Sequence, residues 1–125
     1  CEARGRQLGQ PIAGLQAIQH VLSGMATNLH AARSMMLDVA RRIDDGKDTR
    51  EASAMSKLFC SEKAFGIADQ AIQIHGGVGL MQGATVEWVF RMLRMYRIVT
   101  GTSEIQRNTI AKGYLKRYAE AGASA

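Results

Sequence analysis

The sequence predicts an all-α protein, built as an up-down bundle of four helices. Three observations support this. First, 125 residues that are 46% apolar and 22% charged are enough for one soluble domain, which we place at residues 1–125. Second, the chain has a single proline and long runs without glycine, unlike a β-sandwich with its many turns. Third, apolar residues recur every three or four positions over much of the chain.

The first helix is predicted over residues 11–44. Pro11 suits a first helical turn, and Asp44, Asp45 and Gly46 end the pattern. Residues 1–7 look like the end of a preceding helix, with Leu8 and Gly9 as the turn. The apolar residues of the first helix form an unbroken seam of spacing three and four: Leu15, Ile18, Leu22, Met25, Leu29, Ala32, Met36, Val39 and Ile43.

The second helix is predicted from about Thr49 to His75. Its apolar residues cover most of the circumference, and its many alanines allow close helix approach. It is therefore either the central helix of the bundle or a helix covered by another subunit.

Two breaks separate the remaining helices. Residues 76–84, GGVGLMQGA, precede a third helix over about Val86–Arg97, and residues 98–102 precede a fourth. The fourth helix begins at Ser103, which we predict to be the N-cap of a capping box completed by Gln106.

The net charge of +5 lies entirely in residues 91–125, which carry seven basic and two acidic side chains. Such a region could attract nucleic acid, an anionic membrane or a phosphorylated small molecule, or it could be a solvated helical face. The aromatic residues nearby fall at helical spacing and do not form a base-stacking platform, so we predict no nucleic-acid partner.

Other function classes are disfavoured. No apolar stretch reaches the roughly 18–20 residues that span a bilayer, and the N-terminus has no signal-peptide core, so we predict no membrane insertion. Cys1 and Cys60 are too few for a disulfide scaffold, and the scattered histidines predict no metal site.

Two segments could bind a ligand. QIHGG, residues 73–77, ends a helix in paired glycines that expose backbone, although an ordinary helix C-cap has the same sequence. GTSEIQR, residues 101–107, leads into a helix N-terminus whose free N–H groups suit an anion, although a simply capped helix would look alike.

Taken together, three segments resemble the C-terminal all-α domain of acyl-CoA dehydrogenases: LGQPIAGLQAIQHVLSGMA, AIQIHGGVGL and RIVTGTSEIQRNTIAKGYL. The resemblance covers essentially the whole chain. It implies a longer enzyme with an N-terminal helical and a middle β domain, which binds FAD and oxidises the Cα–Cβ bond of an acyl-CoA. It also implies a dimer or tetramer, electron transfer to an electron-transferring flavoprotein, and a bacterial cytoplasmic or mitochondrial matrix location.

The matching motifs assign site residues by resemblance. Gly101 would lie beside the acyl-CoA thioester, and the helix end and helix start are expected to cradle one flavin together. The residues assigned to FAD of the partner subunit are Gln16, Gln73, Ile74, His75, Gly76 and Gly77, and those near the flavin or its diphosphate are Thr102, Ser103 and Glu104.

The sequence departs from the family pattern at three places. Thr100 occupies the position of the catalytic glutamate of many members, and its hydroxyl is too weak a base by itself. Gly5, between Arg4 and Arg6, replaces an arginine that contacts FAD. Arg91–Met92 replaces Arg–Asp, so the local ion pair is expected to be absent.

Two functions are compatible with these features. The first is an acyl-CoA dehydrogenase-like oxidoreductase, of which this 125-residue segment would be inactive alone. The alternative is a non-catalytic helical oligomerisation module, or a subunit without a base that completes the FAD site of a partner.

Overall fold

Four helices make up most of the computed structural model, which describes residues 6–7 and 10–123. Helix α1 spans Gln16–Asp44, α2 spans Arg50–His75, α3 spans Thr85–Met95 and α4 spans Ser103–Gly122. Short 3-10 helices precede α1 (Ile12–Gly14) and follow α2 (Gly76–Leu80). The predicted all-α class is therefore confirmed.

The start of the chain differs from the prediction. Helix α1 begins at Gln16 because Leu15, the residue before it, is extended, with φ −79° and ψ 127°. Pro11 is also extended, with φ −60° and ψ 135°, and leads into the 3-10 helix. Arg6–Gln7 forms a short strand, β1, antiparallel to β2, Gln10–Pro11. Residues 6 and 7 are thus not the end of a helix. Pro11 keeps the preceding residue, Gln10, extended, and Gln10 pairs with Gln7. The rest of the expected helix end and turn, residues 1–5, 8 and 9, lies outside the described residues.

Helix α2 is the shared neighbour of the other three helices, as one of the two predicted alternatives required. The thiol of Cys60 donates to the carbonyl oxygen of Ala32 on α1 at 3.4 Å. The rings of Phe65 on α2 and Phe90 on α3 have centroids 4.8 Å apart. The buried residues of α2 are small, and they let its neighbours approach closely: Ala54, Ser56, Ser61 and Ala68.

The contacts along α2 also show in which direction α3 and α4 run. From its N-terminus onward, Glu51 meets Arg117 late in α4, Glu62 meets Ser103 at the start of α4, and Phe65 meets Phe90 of α3. Helices α3 and α4 therefore both run antiparallel to α2, along successive halves of it. The loop between α3 and α4 therefore shifts the chain along α2, and α4 continues in the same direction as α3.

The apolar seam of α1 is helical as predicted, but much of it is open to solvent. Ala32 is buried, whereas Leu29, Met36 and Ile43 are 62%, 58% and 59% exposed. The buried apolar residues of the described chain are all alanines, and large apolar side chains elsewhere, such as Trp88, are exposed as well. An apolar surface of this extent is typical of a region that packs against other polypeptide. No helix within residues 10–123 combines the length and apolar character needed to cross a membrane.

Gly79 is a position where the fold requires glycine. A Cβ atom there would lie 2.9 Å from the Cβ of His75 and 3.0 Å from the carbonyl oxygen of Ile72. We expect Gly79→Ala to lower the free energy of unfolding by about 1–3 kcal/mol, because backbone and Cβ atoms cannot move aside cheaply. Chemical denaturation of the full-length protein measures this.

Gly66→Ala is the matched control, since a Cβ at Gly66 of α2 meets nothing within 4 Å. Alanine in a helix interior is favoured over glycine, so this variant should be about 0.5–1 kcal/mol more stable than the wild type. Equal stability of the two variants would contradict the assigned role of Gly79.

Candidate functional site

The two predicted ligand-binding segments, residues 73–77 and 101–107, lie far from each other in the folded structure. Ser103, at the start of α4, binds Glu62 near the middle of α2, whereas QIHGG ends α2. Thirteen residues separate Glu62 from His75, which is roughly 20 Å at the α-helical rise of about 1.5 Å per residue. The expectation that both segments form one cradle is therefore wrong within a single chain.

Gln16, by contrast, lies at the same end of the molecule as QIHGG. Helices α1 and α2 are antiparallel, with Ala32 beside Cys60. Counting sixteen residues back along α1 leads to Gln16, and counting sixteen onward along α2 leads to Gly76. The structure thus gathers the residues assigned to the FAD of the partner subunit at one end of the α1–α2 pair.

The end of α2 combines an ordinary cap with backbone that the chain itself leaves uncovered. Gly76 caps the helix at φ 61° and ψ −149°, a conformation that favours glycine, and its N–H donates to the carbonyl of Gln73. The ring of His75 is held by its Nδ1 atom, 2.7 Å from the carbonyl oxygen of Ala71. Gly77 is different, because its φ is not positive and a Cβ there would meet nothing within 4 Å. Capping explains Gly76 but not Gly77.

At the start of α4, the N-cap is Thr102, one residue earlier than predicted. Its Oγ1 accepts a hydrogen bond from the N–H of Ile105 at 3.4 Å. Ser103 is only 2% exposed, and its hydroxyl donates to Oε1 of Glu62 at 2.7 Å. Gln106 donates to the carbonyl of Gly101 at 3.2 Å rather than back to the cap. The predicted capping box is therefore wrong, because the Ser103 hydroxyl has a partner on another helix.

This helix start presents acceptors rather than free amides. The N–H of Ser103 donates to the carbonyl of Arg97 at 3.2 Å, and that of Ile105 is used by the cap. The backbone N–H of Glu104 binds its own carboxylate, which lowers the pKa of that group, and the Thr102 hydroxyl lowers it further. The predicted role as an anion site is not supported, since these donors are engaged and a carboxylate stands beside them.

Glu62 organises this region, and the sequence analysis did not find it. Its Oε2 lies 3.0 Å from Nε of Arg97, and its Oε1 lies 3.9 Å from Arg107. Partial burial raises the pKa of Glu62, but the Ser103 hydrogen bond and the charges of Arg97 and Arg107 together outweigh burial, and the net pKa is lowered. The available signal was weak: Glu62 lies between Ser61 and Lys63, with apolar residues at 58–60 and 64–65 on either side.

The loop before α4 contains Thr100, which by resemblance occupies the position of a catalytic glutamate. Thr100 is exposed and has a positive φ of 54°. Its hydroxyl donates to the carbonyl of Val99 at 2.7 Å. Within residues 10–123, no carboxylate or imidazole is found among its hydrogen-bond partners, so this part of the chain gives Thr100 no activator of the kind that a hydroxyl needs to act as a base.

The basic side chains of residues 91–125 are largely paired. Arg97 and Arg107 meet Glu62, and Arg117 makes a two-point contact with Glu51. Arg91 pairs with Glu87 one turn earlier, at 2.6 Å, so the expected absence of an ion pair there was wrong. This pairing favours the interpretation of the basic region as a structural face.

The comparisons with known proteins agree with this architecture. The family model described as "Acyl-CoA dehydrogenase, C-terminal domain" matches residues 2–115. The chain therefore belongs to the acyl-CoA dehydrogenase family, and it corresponds to the C-terminal domain.

Individual relatives are similar over the same range. The probable acyl-CoA dehydrogenase YngJ of Bacillus subtilis (strain 168) is 45% identical over 111 residues, which are 89% of this chain and 29% of that protein. The CarC subunit of the caffeyl-CoA reductase-Etf complex of Acetobacterium woodii is 36% identical over 112 residues, 90% of this chain and 30% of CarC. A solved FAD complex of PigA has a TM-score of 0.86 at 29% identity, over 93% of this chain and 30% of that chain. The chain thus spans about 30% of the length of its relatives.

We expect Glu62→Gln to lower the free energy of unfolding of the full-length protein by about 1.5–3 kcal/mol near neutral pH, because charge-assisted contacts to Ser103 and Arg97 are lost. The folded pKa of Glu62 lies below its ordinary value of 4.5. Its contribution is therefore fully present above that value and is lost as the pH falls through the folded pKa. Denaturation at a series of pH values should show the difference from the wild type shrinking in acid.

Glu104→Gln is the control, since the Glu104 side chain is 76% exposed and holds no other helix in place. Its effect on stability should be small, within about 0.5 kcal/mol. A wild-type advantage over Glu62→Gln that persists unchanged into strong acid would contradict the role of the Glu62 charge.

Proposed function

We propose that this chain is the FAD-contacting, dimerising C-terminal domain of a flavoenzyme that dehydrogenates the α,β bond of an acyl-CoA thioester. The family match over residues 2–115 is the observation that carries the proposal. Two features of the structure support it: the uncovered backbone at Gly77, and the cluster of oxygen acceptors at Thr102 and Glu104.

The residues present fit a nucleotide cofactor in two separate places. At the end of α2, the amides of Gln16 and Gln73 and the open backbone of Gly77 can bind polar groups of FAD held by the partner subunit. At the start of α4, Thr102 and Glu104 offer oxygens that suit hydroxyl or ring N–H groups rather than phosphate.

Three other assigned residues play supporting parts in this proposal. Ser103 supports the site through Glu62 and does not itself face a ligand, because its hydroxyl is engaged. Ile74 and His75, both half-buried, hold the end of α2 in place.

The chemistry that FAD supplies when bound is acceptance of a hydride from the β-carbon. This chain contributes Gly101, which we place beside the thioester. Thr100 does not remove the α-proton, since its hydroxyl donates to the carbonyl of Val99 and no base among the described residues is bonded to it. The base must then be a carboxylate elsewhere in the enzyme or in a partner subunit.

The exposed apolar surface and the names of the relatives indicate which partners this chain would have. The exposed apolar residues of α1 and Trp88 of α3 suit packing against other domains and a second subunit of the same family. The caffeyl-CoA reductase-Etf complex of the CarC relative supports an electron-transferring flavoprotein as the electron acceptor. Both curated relatives are bacterial, which favours the cytoplasm of a bacterium over a mitochondrial matrix.

The threonine at position 100 also supports a second candidate function, that of a subunit without a base that completes the FAD site of a catalytic partner.

The experiment that separates the two candidate functions is to purify the full-length protein and add acyl-CoA in the absence of oxygen. A yellow protein whose flavin absorbance bleaches supports the dehydrogenase. A colourless protein that becomes active only with a second subunit supports the alternative, and turnover by the isolated 125-residue chain would contradict both.

We expect Gly77→Leu to reduce the FAD content of the purified full-length protein several-fold, because the new side chain would fill the space that the cofactor needs. The described part of the chain leaves this space open, so the fold should tolerate the change. The ratio of flavin to protein absorbance measures the effect.

Gly122→Leu is the matched control, since a Cβ at Gly122 likewise meets nothing within 4 Å but lies at the far end of α4. Its flavin content should equal that of the wild type. Full flavin content in Gly77→Leu would remove the end of α2 from the cofactor site.

A further inference from the structure

The loop between α3 and α4 is held in an unfavourable backbone conformation. Thr100 is the single non-glycine residue with a positive φ in the described part of the chain, at 54°, and Gly101 follows at φ 93°. A threonine is strained there, because its branched Cβ crowds the backbone. Such a conformation persists only when surrounding contacts determine it.

Lys57 of α2 supplies the contact at the apex of this loop. Its Nζ donates to the carbonyl oxygen of Gly101 at 2.5 Å, across 44 residues of sequence. Gln106 donates to the same oxygen at 3.2 Å and to that of Thr100 at 3.4 Å. The bond from Lys57 is the charged one, and it is therefore the stronger of these contacts.

Glu62 fixes the two ends of the same loop. It binds Arg97 where the loop begins and Ser103 where α4 begins. With both ends held, the remaining freedom lies in Thr100 and Gly101, which is where Lys57 acts. Lys57 makes no ion pair with a carboxylate of the described residues, so its ammonium group serves the loop carbonyl alone.

We propose that Lys57 is a positioning residue that sets the backbone of Gly101 at the acyl-CoA site. This rests on the proposed function, in which Gly101 lies beside the thioester. In this role Lys57 contributes through the backbone and not by binding substrate or cofactor itself. It acts through the Gly101 carbonyl, which it holds in one place while the strained Thr100 peptide would otherwise relax.

The test compares three variants of the full-length protein. Lys57→Met keeps a flexible, unbranched side chain one atom shorter than that of lysine and removes the charge and the donors, and Lys57→Arg keeps the charge. Lys63→Met is the matched control, because Lys63 is another lysine of α2 but is exposed and lies over the ring of Phe59, 5.7 Å away.

Two readouts are needed, hydrogen exchange of the amides at 99–104 and acyl-CoA kinetics with the flavin content. We expect Lys57→Met to exchange about tenfold faster in this segment and to lose about tenfold or more in kcat/KM, at unchanged flavin content. Lys57→Arg should restore part of both, and Lys63→Met should match the wild type.

The outcomes separate this inference from the proposed function. If the wild type binds no flavin and does not react with acyl-CoA, the proposed function fails, and the site role of Lys57 fails with it. If the wild type is active and Lys57→Met matches it in either readout, the inference on Lys57 alone is overturned. Faster exchange together with reduced kcat/KM in Lys57→Met, absent in Lys63→Met, supports it.

Discussion

The position of α4 depends on the carboxylate of Glu62. This one side chain accepts a hydrogen bond from the hydroxyl of Ser103 and pairs with Arg97, so it holds the first residue of α4 and the second residue of the preceding loop. A half-buried carboxylate is costly unless its oxygens are paired. Here both oxygens have partners, and the pairing sets where along α2 the last helix begins.

The central position of α2 follows from its small residues. Alanine and serine at the buried positions let α1 on one side and α3 with α4 on the other approach closely. The same choice leaves little apolar volume to bury, and several large apolar side chains of the other helices, such as Leu29, Met36 and Trp88, are exposed. Association with further polypeptide would bury them, which is a favourable contribution that this chain alone lacks.

Local patterns predicted the helices well, because the spacing of apolar residues is itself a property of a helix. The helix boundaries and caps were less predictable. Thr102 and Ser103 are both good N-cap residues, and only the distant Glu62 decides that Ser103 turns inward and Thr102 caps. Pro11 could begin a helix or stay extended, and the start of α1 at Gln16 shows that it stays extended.

The candidate site was predictable as a set of residues but not as an arrangement. The motifs do not show that QIHGG lies at the end of α2 whereas GTSEIQR lies near its middle, because these positions depend on how far α3 and α4 run along α2.

The separation of the two segments has a consequence for the proposed function. It suits two segments that serve two cofactors, one bound to each subunit, better than a single cradle within one chain. A C-terminal domain arranged in this way would complete the cofactor site of its neighbour with the end of α2 and its own with the start of α4. The flavin sites would then depend on subunit association, and so would the burial of the apolar residues that the single chain leaves exposed.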